Sequence, residues 1–251
     1  MATDSSGVYA MIDARDGGLR WRGRTFEGIE AAPAIDRRAV YVADMMERGR
    51  AGWTALDDVF PGPILERSAH EAWWLFRFGM ESGFAARSPF PAQRFPIEAF
   101  EPFMKHCVPR WVLNAEPAQA AFRAMVRRIG PCIVITHSSG SLYGYRLAFA
   151  EPELVRTVIG LEPSNHPTEI PSDLKGLKIL DVMGDFLDTR EFWVSMDQRV
   201  QDNVARLAAA GADARYLRLA DRGLAGHSHM IMMDRGSDDA LDVILAEAGL
   251  A

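Results

Sequence analysis

Ile133-Val134-Ile135-Thr136-His137-Ser138-Ser139-Gly140-Ser141 is the stretch on which the reading of this 251-residue chain turns. A β-branched apolar run breaks off into small residues, and a helical pattern continues to 149, where Glu151-Pro152 stops it because proline cannot extend a helix. Strand, sharp turn, helix is the prediction. Residues 136–140 have the form small-x-Ser-x-small, which suits a turn so tight that only compact side chains fit two places either side of the serine. Thr136 and Gly140 occupy those places, although glycine is usual at the first. Ser138 at the apex would face the amino end of the following helix. There, unpaired N–H groups and the helix dipole favour negative charge developing on a bound oxygen.

Outward from this turn, short apolar runs alternate with longer helical patterns. Val8-Tyr9-Ala10-Met11-Ile12, Ala39-Val40-Tyr41-Val42-Ala43, Thr157-Val158-Ile159-Gly160-Leu161, Leu177-Lys178-Ile179-Leu180-Asp181-Val182 and Arg215-Tyr216-Leu217-Arg218-Leu219 join 132–136 as expected strands. Runs that are apolar at consecutive positions belong to strands covered on both faces. The expected class is therefore α/β, with a mostly parallel, doubly wound sheet. Val200, Val204, Leu207 and Ala208 form one helical stripe closed by Gly211, and Ala240, Leu241, Ile244 and Leu245 repeat the spacing. Residues 1–55 and 113–251 read as the two parts of this core.

Residues 56–112 differ. They are rich in proline (Pro61, Pro63, Pro89, Pro91, Pro96) and in aromatics (Trp73, Trp74, Phe76, Phe78, Phe84), and are too long for a connecting loop. We read them as an inserted cap over the carboxyl edge of the sheet, where doubly wound folds bind ligands. Trp74, Phe78 and His137 are candidates to line a pocket for an apolar or aromatic small molecule. The net charge of −6 without a basic block argues against nucleic-acid or anionic-membrane partners, and no run of 18 apolar residues exists to span a bilayer. Cys107 and Cys132 form neither a disulfide framework nor a Cys-x-x-Cys metal pair, so no cofactor or metal is expected. The start Met-Ala-Thr-Asp-Ser-Ser-Gly has no apolar leader, which makes a cytoplasmic setting the expectation.

A serine is a weak nucleophile without a base, and the base needs an orienting acid. The base should follow the last strand, in Asp221-Arg222-Gly223-Leu224-Ala225-Gly226-His227-Ser228-His229-Met230, where two histidines compete. Two acids compete as well. Glu162 ends the strand after the turn's helix, and Asp185 follows the next strand, so spacing alone does not choose.

The pieces Thr136-His137-Ser138-Ser139-Gly140-Ser141-Leu142-Tyr143, Val158-Ile159-Gly160-Leu161-Glu162-Pro163 and Gly226-His227-Ser228-His229-Met230-Ile231-Met232-Met233 resemble a bacterial branch of the α/β-hydrolase serine esterases, as does Trp74-Leu75-Phe76-Arg77-Phe78-Gly79. The resemblance implies an α/β-hydrolase fold and a carboxylic-ester hydrolase, with Ser138 as nucleophile, His229 as base, Glu162 as acid and the Ser139 N–H in the oxyanion hole. In that branch the first sheet strand ends in a His-Gly-rich loop that completes the hole. Taking Val8–Ile12 as that strand puts Ala14 and Arg15 there, between Asp13 and Asp16. That departure leaves two alternatives open: a non-hydrolytic reaction (cyclisation, elimination or C–C cleavage) in the same pocket, or ligand binding without turnover. With only seven residues ahead of Val8, the branch's antiparallel amino-terminal strands should be missing, leaving a bare sheet edge that a homodimer could cover.

Overall fold

The runs on either side of the serine turn pair edge to edge, as their β-branched composition demands. The computed structural model describes residues 67–105 and 115–250 with side chains. Of residue 106 and of the strands at 2–3, 8–12, 19–24, 35–36, 39–41, 64–65 and 110–111 it describes the backbone. The main sheet has the order β11-β10-β9-β8-β5-β4. Its strands are β4 (Ile35–Asp36), β5 (Ala39–Tyr41), β8 (Cys132–His137), β9 (Val155–Leu161), β10 (Lys178–Met183) and β11 (Asp213–Arg218). From β5 to β11 the neighbours are parallel, and β4 turns back antiparallel along the outer edge. Each expected strand from 132 onward lies within two residues of its predicted bounds.

The run at 8–12 is a strand, but not one of these. β2 (Val8–Ile12) lies between β1 (Ala2–Thr3) and β3 (Leu19–Arg24) in a separate antiparallel sheet. Three antiparallel amino-terminal strands are thus present where none was expected. The strand beside β8 is β5, so the segment following Tyr41, rather than that following Ile12, leaves the sheet at the serine's edge. The outer edge strand of the main sheet on this side is β4, paired antiparallel with β5. The last two strands, β6 (Ile64–Leu65) and β7 (Arg110–Trp111), pair antiparallel by themselves.

Helices cover both faces of the main sheet. Alternation along β9 and β10 sends Val158 and Ile179 to one side and Ile159, Leu180 and Val182 to the other. The first side packs against α3 (Ala115–Ile129), α4 (Ser141–Ala150) and α5 (Glu191–Ala209), through Val126, Tyr145, Leu147 and Leu207. The second packs against α6 (Ser237–Glu247), through Ala240 and Ile244. Burying a Val, Leu or Ile side chain fully is worth about 1.5–3 kcal/mol, so these two layers dominate the stability.

Residues 67–106 carry α1 (Ala69–Leu75), which starts at a Ser68–Glu71 capping box, and α2 (Phe100–His106). Trp73, Phe76, Phe78, Phe95, Phe100 and Phe103 of this segment bury one another and Met230, with rings mostly edge to face. The segment meets the carboxyl side of the sheet. Phe76 O accepts from His229 N at 3.1 Å, Arg94 N donates to Gly226 O at 2.9 Å, and Arg190 pairs with Glu81. Among the described residues, no helix is long and apolar enough to cross a membrane.

Candidate active site

Parallel strands end at one edge, and the chain's reactive side chains follow those ends in order: Ser138 after β8, Glu162 after β9, Asp185 after β10 and His229 in the loop beyond β11. Ser138 takes φ +53°, a left-handed conformation that a non-glycine residue adopts only when its surroundings impose it. A 3-10 turn, Ser138–Gly140, leads straight into α4. Ser139 therefore lies in the first turn, where backbone N–H groups have no partner within the helix. Thr136 fits at the position where glycine is usual because glycine stands opposite it. A Cβ on Gly144 of α4 would come within 2.7 Å of Thr136 Cγ2 and 3.2 Å of Val158 Cγ1. The space saved on the helix is used on the strand.

His229 Nε2 lies 2.9 Å from Ser138 Oγ, and His229 Nδ1 lies 3.0 Å from Glu162 Oε2. An ionised carboxylate only accepts, so Nδ1 carries the proton and donates it to Glu162, which leaves Nε2 to accept from the serine hydroxyl. Glu162 is 1% exposed and, like the serine, left-handed at φ +52°. Its Oε1 accepts from Gly184 N at 2.5 Å and from Arg77 Nη2 at 2.5 Å. Burial pushes its carboxyl up, but the Arg77 charge and the His229 bond outweigh this and hold it at about 2. Glu162 is thus a carboxylate at every ordinary pH. Burial lowers the His229 imidazole, more than Glu162 raises it, so the ring is the free base at neutral pH.

The competing candidates have other work. Asp185 Oδ1 accepts from Phe186 N and Oδ2 from Gly226 N, both at 2.8 Å, so it staples two loops together. His227 Nδ1 goes to Asp234 Oδ2 at 3.2 Å, and Asp234 also accepts from Ser228 N at 2.6 Å and Ser228 Oγ at 2.8 Å. This buried clasp folds the loop so that His229 points at the serine and His227 points away. Among the described residues no group of three His, Cys, Asp or Glu is placed to hold a metal ion.

Among the expected pocket residues, His137 is buried, and its Nε2–H donates to His229 O at 2.8 Å. Burial and the neighbouring His229 hold it down to about 3, so it stays neutral. Phe78 is fully buried in the aromatic cluster, stacked on Phe95 at 4.1 Å, which makes it a packing residue. Trp74 meets Phe192 at 6.0 Å and lies beneath Arg190 at 4.0 Å. Ala14 and Arg15 lie outside the described residues, and β2 before them pairs in the antiparallel sheet. Sequence reasoning did not place three neighbours of the Ser138–His229–Glu162 cluster. Phe76 stacks on the His229 ring at 5.5 Å, Trp193 flanks it at 5.3 Å, and Arg77 touches the acid. Only Arg77 left a signal, a charged residue inside an otherwise apolar aromatic run.

A bacterial esterase of known structure superposes with a TM-score of 0.66 over 78% of this chain and 64% of its own, at 22% identity. The chain has the α/β-hydrolase fold. A carboxylesterase from Mesorhizobium loti overlaps over 52% of this chain and 59% of its own at 24% identity, with a TM-score of 0.38, too low to bear on the fold. In sequence, 147 residues (51% of this chain) are 26% identical to phiG, a probable secreted lipase of Fungal sp. (strain ATCC 74256), and span 36% of that lipase's length. No protein-family model matches the chain.

Proposed function

We propose that this α/β-hydrolase-fold chain is a serine hydrolase that cleaves a carboxylic ester or related acyl compound through an acyl-enzyme on Ser138. The observation that carries this reading is the unbroken line of bonds Ser138 Oγ to His229 Nε2 and His229 Nδ1 to Glu162 Oε2. Ser138 Oγ attacks the acyl carbon as its proton passes to His229 Nε2, and Glu162 stabilises the imidazolium so formed. The imidazolium returns the proton to the departing alkoxide. Water, deprotonated by the same ring, then adds to the acyl group and frees Ser138. The Ser139 N–H supplies one donor to the tetrahedral oxyanion. The second is sought after Tyr41 instead of at Ala14 or Arg15, since β5 and not β2 neighbours β8. The esterase and lipase relatives support the reaction class.

Residues 56–112 act as a cap in this reading. Phe76 and the α5 residue Trp193 beside the base favour an apolar or aromatic acyl group. A chain with two cysteines suits a reducing, cytoplasmic setting.

The test is a fluorophosphonate probe with mass spectrometry of the labelled peptide. Labelling at Ser138, abolished by His229→Ala, is the expected result. A purified protein that transforms a small molecule while Ser138 stays unlabelled would instead place it among the non-hydrolytic members of the fold.

A further inference from the structure

Arg77 is fully buried, an expensive place for a charge unless partners compensate it. It follows the end of α1 with φ +58°, in the left-handed position that glycine usually fills after a helix. A side chain is kept there against the backbone's preference. Its Nη2 donates to Glu162 Oε1 at 2.5 Å and its Nε to Asp185 O at 2.7 Å, while its guanidinium lies on the Trp193 ring at 4.3 Å. Trp193 in turn flanks His229. One planar cation is thereby gripped at its edge by the loops after β9 and β10 and at its face by α5.

Building on the hydrolase reading above, we infer that Arg77 is a positioning residue of the proton relay. It pins Oε1 of Glu162 so that Oε2 faces His229 Nδ1, and it offsets part of the carboxylate's charge as the imidazole feels it. In the usual triad the acid presents a net negative charge to the histidine. Here the guanidinium offsets part of that charge, so the acid orients the ring and strengthens it as a base less than a lone carboxylate would. The neighbouring elements carry other ionisable groups among the described residues. His137 lies at the end of β8, Asp234 and His227 on the ring's own loop, and Asp185 after β10 with Arg218 at 3.7 Å. Tyr216 of β11 is bonded to Asp197 of α5. Arg77 is the cation in contact with the acid itself.

The experiment follows the His229 ring by NMR titration in the full-length protein, alongside kcat and KM on a chromogenic ester. Arg77→Met removes the charge, so the proton of the His229–Glu162 pair should leave at higher pH. The titration midpoint and the acid limb of kcat should both rise by roughly one to two pH units. At neutral pH kcat should fall by about 10- to 100-fold with KM little changed. Arg77→Lys keeps the charge but not the fork, and should restore the midpoint while kcat stays low. A folded Arg77→Met protein with parental midpoint and kcat overturns the inference. Should Arg77→Met not fold, Arg77→Met/Glu162→Gln has no orphaned charge. A kcat equal to that of Glu162→Gln alone supports action through the acid, and a further large fall refutes it. If wild-type Ser138 takes no phosphonate, the hydrolase reading is what has failed, and the His229 titration still judges Arg77.

Discussion

At the scale of single residues, the choice between two acids rests on hydrogen bonds and not on sequence position. Glu162 Oε1 already accepts from Gly184 N–H and Arg77, so in Glu162→Gln the amide oxygen is drawn to that place and the amide NH2 faces His229 Nδ1. Nδ1 must then accept, the remaining proton moves to Nε2, and the ring can no longer take one from Ser138. We expect kcat to fall by about 10³- to 10⁴-fold, the loss seen when a triad histidine is held in the wrong tautomer. Asp185→Asn keeps an acceptor for one of its two loop N–H groups and should cost about 1 kcal/mol in stability, with activity within an order of magnitude of the parent. Steady-state kinetics on the two variants ranks them, and the reverse ranking would displace Glu162. The serine turn was legible in the sequence because its constraint is local. What made Thr136 acceptable was not, since Gly144 meets it only once α4 has folded back across β8.

At the scale of elements, the His229 loop is held by polar groups that water does not reach. Asp234 accepts three hydrogen bonds from His227 and Ser228, and Ser228 Oγ accepts from Met230 N, the residue after the base. Asp234→Ala leaves those donors buried and unpaired. At about 1 kcal/mol or more each, we expect a loss of about 3 kcal/mol. For a chain of this size that is a fall of roughly 6–12 °C in the melting midpoint, with kcat lowered because the ring loses its aim. Calorimetry and kinetics on one preparation check both. Gly184 shows how close the loops approach, since a Cβ there would lie 2.6 Å from His227 O and 3.0 Å from Glu162 Oε1. Consecutive apolar runs revealed the strands of the sheet, but periodicity does not say which sheet a strand joins. Val8–Ile12 misled for that reason. Its five residues suit either partner, and its antiparallel pairing with Leu19–Arg24 is settled by the chain's return.

At the scale of the whole molecule, one charge works against the fold. Asp181 of β10 lies inside the sheet's α4–α5 face, where Tyr145 OH donates to both its oxygens at 2.7 and 2.8 Å. Burial outweighs that bond and raises the carboxyl from 3.8 to about 7. A pKa raised on folding favours the native state fully below the unfolded value and loses that contribution as pH climbs through the folded one. Between pH 4 and 8 the native state should therefore lose ~4 kcal/mol on this account. Asp181→Asn should flatten the profile, matching the parent near pH 4 and exceeding it at pH 8 in urea unfolding; a constant offset at both would refute the assignment. Class and layer order were readable from composition and runs, whereas Phe76, Arg77 and Trp193 reach the base only through tertiary packing. The bonds joining Arg77 to Glu162, Glu162 to His229 and His229 to Ser138 bridge 85, 67 and 91 positions of chain. Such contacts close late, after the loops between them have been drawn in. During refolding from denaturant, regained turnover should therefore trail the return of helical signal, and catalysis becomes a stopwatch for the final docking step.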